Sequence, residues 1–484
     1  IRIACNPITE EFATAAPMIR KDPAWIADIS ELFNAPTIFG FVKGYFEANP
    51  DAPALIVESS LQRLEGIKNS QIGIISLNDE LDVETVSEIF IRINSKGVPL
   101  SSADFAMSKI ATYGDRGRNL RKLIDYFCHL AIAPHAYDDI KDNDTEFAAS
   151  PHMSQIAWLK NDADDLYDPS YGDIIRVAGL VGFSRGKAAS IVSELSGRDP
   201  ETRKVDLDRI PAAYDQLEAA LGEIVRKFHF ENFVMIIKSA GFITPGMVRS
   251  QNALNFAYAL YLRLRADSSM SEGERKRIVR RWFVMSMLTG RHSGSFESMW
   301  EQDIRRIGVV GAAAYLKQIE ESELTDGFWT VALPGALETT STISPFFQTF
   351  LAAQVTSAAR GFLSRSITVA AMHQQSGDIH HIVPKDYLQK NGFPDRGDYN
   401  QVANYALTET SINISIGKRP PADYMAQLGD QIESGKLKLG EITDARDLDR
   451  NLVENAIPAR LAEVASATYP EFLIERRKLM AWRR

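Results

Sequence analysis

Apolar residues recur at three-to-four spacing through most of this chain, which predicts a predominantly helical α+β protein. Helical periodicity covers 25–33 and 37–46 near the start. It returns at 119–131, 174–181, 187–195, 210–228, 251–265, 272–288 and 344–360, and again at 444–467 and 470–484. Between 82 and 97, Val86, Ile89, Phe90 and Ile93 fall on one helical face, and Gly97 stands where a left-handed turn ends a helix. Ser101 with Asp104 then reads as a capping box opening the next helix. Strand signals are few. The segments 1–5 and 71–76 run apolar or alternate, which gives the first part a mixed α/β character. No fixed-period repeat is visible. The pattern divides the chain into 1–112 (mixed), 113–340 (a helical scaffold) and 341–484.

The third part contains a different pattern. Asp378-Ile-His-His-Ile-Val383 is a short apolar run closed by Pro384, as expected of a strand that ends where no ladder N–H is available. His380 and His381 are consecutive, so on a strand they face opposite ways and cannot share one task. Asn404 and Asn413 follow, nine residues apart, and 405–410 between them fits a second strand or turn. Gly417-Lys-Arg-Pro-Pro421 punctuates what comes next.

His-His-Ile-Val-Pro-Lys at 380–385 resembles the [Asp/His]-His-Ile-x-Pro signature of ββα-metal HNH endonucleases. The Asn404–Asn413 spacing is similar to that in the HNH domain of the CRISPR RNA-guided nuclease. The resemblance implies that His381 is the general base and that Asn404 pins the hairpin and orients it. It implies that His380 and Asn413 are metal ligands, with Lys385 and Lys418 available to DNA phosphates and Tyr424 structural. The chemistry fits these residue types: phosphodiester hydrolysis needs a base for water and a cation for the phosphate and the leaving oxygen. The implied cofactor is a divalent metal, Mg2+ or Mn2+. Histidine at position 380, where many relatives have aspartate, shifts the expected preference away from magnesium, because imidazole suits softer ions.

A second resemblance lies upstream. Arg92, Asn94 and Lys96 form a polar corner suited to a polyanion. Phe90-Ile-Arg-Ile-Asn-Ser-Lys-Gly-Val-Pro-Leu-Ser-Ser-Ala-Asp-Phe105 resembles a block of the ParB-like N-terminal domain of GmrSD-type restriction enzymes. That family cuts modified DNA with a C-terminal HNH domain and binds and hydrolyses a nucleoside triphosphate (GTP or another NTP) in the first. It also carries an Asp-Gly-Gln-Gln-Arg motif, which is absent here and expected upstream of Ile1. Thr289-Gly-Arg-His-Ser-Gly-Ser295 is similar to a further block of the same family, with Arg291 and His292 read as structural. The two resemblances together imply a modification-dependent (type IV) restriction endonuclease acting on phage DNA. They leave room for a homodimer. The alternatives are an unregulated HNH nickase or toxin nuclease, and a DNA-modification sensor that does not cut.

Composition narrows this little. With 484 residues the chain can bury a large core, and its net charge of -9 argues against a general nucleic-acid coat but not against a local basic channel. The segment Arg275-Lys-Arg-Ile-Val-Arg-Arg281 concentrates five positive charges in seven residues, which makes Arg275 and Arg281 candidate phosphate contacts. Cys5 and Cys128 are the only cysteines, too few for a cysteine zinc knuckle beside the finger or a disulfide scaffold; a reducing cytoplasm is the expected location. No apolar run approaches membrane-spanning length, so no membrane partner is expected. Gly182-Phe-Ser-Arg-Gly-Lys187 mimics a phosphate-binding loop, but its glycine spacing is short, Ala188 follows it, and no strand precedes it.

Overall fold

Ser101 opens its helix as its sequence predicts. Its hydroxyl accepts from Asp104 N, and Asp104 Oδ2 accepts from Ser101 N at 2.7 Å. This computed structural model describes residues 2–71, 73–74, 76–77, 81, 89, 101–199, 202, 204–374 and 377–482. The expected helix over 82–97, including Arg92, Asn94 and Lys96, lies outside the described residues. So does part of the strand expected at 71–76. The described residues are mostly helical, with two small antiparallel sheets, as the periodicity implied.

The chain forms two compact units, Ile1–Ala163 and Asp164–Arg484. The boundary expected at 112 falls between two helices of the first unit, Ser102–Ala111 (α3) and Gly114–Ile132 (α4), which pack together. Gly117 permits their close approach: a Cβ there would lie 2.1 Å from the Ile110 carbonyl oxygen. The first unit begins with a hairpin of Ile3–Asn6 (β1) and Glu11–Thr14 (β2), the second strand being too short and polar to announce itself. Cys5, Ile26 and Leu32 form a core with Tyr45 of the helix Ile38–Ala48 (α1) and Val57, Leu61 and Leu64 of the helix Ala54–Gly66 (α2).

In the second unit the helical array runs through Tyr171–Ala178 (α5), Ile210–Ile224 (α6), Lys227–Ser239 (α7), Gln251–Arg265 (α8), Glu272–Thr289 (α9), Phe296–Val310 (α10) and Ala312–Glu323 (α11). The helix expected over 210–228 breaks at Val225 and Arg226, although Phe228 continues its period; Tyr258 Oη donates to the freed Ile224 carbonyl. The mimic of a phosphate loop begins at the end of a π-helical turn, Gly179–Phe183, that continues α5. The helix expected over 444–467 stops after Ala445–Glu454 (α15 below), because Ala456 takes a positive φ of 51° and Pro458 follows.

The Gly-Arg-His-Ser-Gly-Ser turn is structural, as read. Arg291 donates to Asp303 at 2.6 and 2.9 Å, to Glu323 at 2.7 Å and to Tyr315 at 3.1 Å. His292 Nε2 lies 3.3 Å from Asp303, whose side chain is fully buried. Burial alone would raise the Asp303 pKa, but hydrogen bonds to His292 and Arg291 bring it below the ordinary carboxylate value. Asp303→Ala removes the buried carboxylate shared by Arg291 and His292, leaving Arg291 with Glu323 and Tyr315, and is expected to cost about 3 kcal/mol in urea unfolding. The contribution of Asp303 is fully present above the pKa of an unfolded carboxylate and fades as pH falls through the depressed folded value, so the wild-type advantage should shrink in acid.

Candidate functional site

The run that proline closes is a strand, Asp378–His381 (β3), paired antiparallel with Tyr405–Thr408 (β4); His381 lies opposite Tyr405 and His380 opposite Ala406. A short helix, Thr410–Ile416 (α13), follows β4, which completes a strand–strand–helix finger. The finger is held by Pro345–Thr356 (α12), Pro421–Ser434 (α14), Ala445–Glu454 (α15) and Tyr469–Trp482 (α16). Phe362 runs beside β4, with its N–H donating to Leu407 O at 2.7 Å and its carbonyl accepting from Thr408 Oγ1 at 2.7 Å.

Strand alternation separates the two histidines. His380 is 3% exposed and stacks on Phe362, with ring centroids 5.9 Å apart. Its Nδ1 lies 2.7 Å from Asn413 Oδ1, and Asn413 Nδ2 donates to Asp378 Oδ2 at 3.3 Å. Burial pushes its pKa down to about 4, so the ring is neutral at pH 7. Its Nε2 is buried without a hydrogen-bond partner. On the other side, His381 is half-buried, meets Tyr405 edge-on at 5.1 Å, and has Nε2 2.9 Å from Asn400 Oδ1. With that oxygen as acceptor, Nε2 carries the hydrogen and Nδ1 keeps its lone pair. Burial lowers the His381 pKa, the Asn400 bond raises it, and the Lys385 charge lowers it again; the net direction is down.

Asn404 is fully buried and bonds only to backbone. Its Oδ1 accepts from Val383 N at 2.9 Å, and its Nδ2 donates to Val383 O at 3.0 Å and Tyr399 O at 3.1 Å. It therefore pins the loop after β3, and its side chain makes no hydrogen bond to His381; the hydrogen bond of His381 is to Asn400. Tyr424 Oη donates to Ile382 O at 2.9 Å, a structural role as expected. Arg476 of α16 is buried and donates to Ala403 O at 2.8 Å and Asn455 O at 3.2 Å. Arg477 pairs with Glu338 at 3.0 Å. These two arginines brace the finger and are turned away from solvent.

His380 and Asn413 bring an imidazole and an amide oxygen together, and the Asp378 carboxylate lies at the other end of the same amide, against Asn413 Nδ2. Among the described residues no three His, Cys, Asp or Glu side chains converge, so any metal held here depends on the Asn413 amide. Nδ1 of His380 donates to Asn413 Oδ1 at 2.7 Å, so an ion held by both atoms would have to replace that hydrogen; two ligands at bond lengths of about 2.1 Å sit roughly 3 Å apart, close to the spacing of these two atoms. The donor set fits a divalent ion that accepts one imidazole with oxygens, Mn2+ ahead of Mg2+. Asp378 was missed in the sequence; its place two residues before His380 on a strand was the available signal.

The remaining predicted contacts divide. Lys385 is exposed, with Nζ 5.4 Å from the Tyr399 ring centroid, and Lys418 is exposed and pairs with Asp386 at 2.9 Å. Arg281 pairs with Glu320 on the array. Arg275 is a correction: it is buried, and its guanidinium donates to Leu264 O at 3.1 Å and Met270 O at 3.2 Å, so it cannot be offered to a phosphate. Arg92, Asn94 and Lys96 lie outside the described residues. Among the described residues no helix is long and apolar enough to cross a membrane. No family model, curated protein or solved structure matches the chain.

Asn404→Ala should cost about 1–3 kcal/mol in urea unfolding, because it leaves buried backbone groups unpaired. Asn400→Ala should leave the unfolding midpoint nearly unchanged and lower the His381 pKa further in an NMR titration, since the lost bond favours the charged ring.

Proposed function

We propose that this chain is a metal-dependent DNA endonuclease of the modification-dependent restriction type, with the finger at 377–427 as its cutting unit. The observation that carries the reading is the division of work on β3: His381 with a free Nδ1 lone pair held by Asn400, next to the Asp378–His380–Asn413 donor group. His381 accepts a proton from water at Nδ1, while Asn400 holds the Nε2 hydrogen and so fixes the ring. The depressed pKa keeps His381 neutral and basic near pH 7. Asp378, His380 and Asn413 would hold the divalent ion, which when bound supplies a Lewis acid for the phosphate and positive charge for the departing O3′. Lys385 and Lys418 add positive charge at the finger surface. Asn404, Tyr424 and Arg476 position the loop and touch no substrate.

The further parts of the reading rest on the resemblance at 90–105: an NTP bound near Arg92, Asn94 and Lys96, modified phage DNA as substrate, and a cytoplasmic restriction role.

The test is cleavage by the full chain of modified phage DNA against unmodified plasmid, with and without NTP, in Mn2+ and in Mg2+. Cutting of modified DNA alone, stronger in Mn2+, and reduced about 10²–10⁴-fold by His381→Ala, is the expected outcome. Equal cutting of both DNAs without NTP sinks the regulated reading; tight binding with no cutting sinks the nuclease. The acid limb of the kcat/KM profile should have its midpoint below 6.5, because protonation of a base with a lowered pKa needs a lower pH.

A further inference from the structure

A cavity of about 1000 Å³ lies within the second unit, where α9 and α11 of the helical array face α12 and the end of α16. Its size is at the upper end of small-molecule sites. Met285, Leu288, Leu333 and Phe350 form a buried apolar floor. Trp329 lines one side from a π-helical turn, Phe328–Ala332, a conformation that recurs at functional sites. On that turn Trp329 is half-buried, and its Nε1 donates to Leu324 O at 3.0 Å. With its polar handle satisfied internally, the indole contributes apolar ring surface to the cavity.

The charges at the cavity are uneven. Arg280, Arg281 and Lys317 stand against Glu320 and Glu321. Arg281 pairs with Glu320, and Lys317 pairs with Glu321 at 3.6 Å. That leaves Arg280, exposed at the rim, with no carboxylate partner among the described residues. An apolar floor, an aromatic wall and one spare cation complement a ligand with an apolar aromatic body and a single negative group. The geometry points to a binding site for an aromatic organic monoanion, a carboxylate or sulfonate, between the helical array and the helices that hold the finger. This inference is independent of the nuclease reading, because binding is measured without DNA or metal.

The probe is 8-anilinonaphthalene-1-sulfonate, which has this chemistry, titrated into the folded full chain and followed by fluorescence. Saturable binding at one site is expected. Arg280→Glu should weaken it roughly fivefold or more, as expected for reversing one exposed charge. Arg277→Glu, exposed on the same helix and outside the cavity, should leave it unchanged. Ala353→Trp should abolish binding by filling the cavity from α12, and Thr356→Trp on the exposed rim is the second filling variant should the first disturb folding, as judged by the urea midpoint. The uncharged N-phenyl-1-naphthylamine should bind more weakly than the sulfonate. A signal that does not saturate, that survives a folded filling variant, or that is equal for the charged and uncharged probes overturns the proposal.

Discussion

The finger depends on one amide. A two-stranded ribbon with four residues per strand is marginal on its own in water. The side chain of Asn404 adds three hydrogen bonds that a wider sheet would otherwise provide, two to Val383 in the loop that leaves β3 and one to the Tyr399 carbonyl. Tyr424 fixes the next carbonyl upstream, at Ile382, and Phe362 acts as a partial third strand beside β4. Each bond lies in a buried setting where an unmade partner is costly. The loop is therefore over-determined, and the two histidines at its root inherit fixed directions.

Those directions give adjacent, chemically identical residues different environments. Both imidazoles are held below the ordinary histidine pKa by burial, but to different ends. His380 is enclosed by Phe362 and Asn413 and stays neutral far into acid. His381 is only half-enclosed and keeps Tyr399, Tyr405 and Lys385 for neighbours. The period of two along a strand, not any difference in residue type, separates an enclosed ring from a half-exposed one.

Much of this was legible in the sequence. Alternation and Pro384 marked β3, the run between Asn404 and Asn413 marked β4, and the capping box at Ser101 formed as written. Asp378 and Asn400 were overlooked because neither stands inside the His-His-Ile-x-Pro pattern; only the pleat and the fold of the intervening loop bring them to the histidines. Arg275 misled because its neighbours are charged and exposed, while its own side chain turns back under the preceding helix to cap carbonyls. The helix expected at 210–228 was misread because apolar period continues across a break that tertiary packing, through Tyr258, makes acceptable. Sequence period records which face is buried, and it is silent on where the backbone stops turning.

Arg476 adds a constraint of another kind. Its guanidinium is enclosed without a carboxylate, its pKa drawn down to about 9 by burial, and its hydrogen bonds go to carbonyls of Ala403 and Asn455. One of those carbonyls belongs to the residue before Asn404, so the loop is clamped from α16, well downstream of the motif in the chain. A segment excised as the motif alone would carry every histidine and asparagine of the finger and lack its clamp. The transferable module, for grafting or for recombination, is thus delimited by a buried arginine rather than by the signature that makes the finger recognisable.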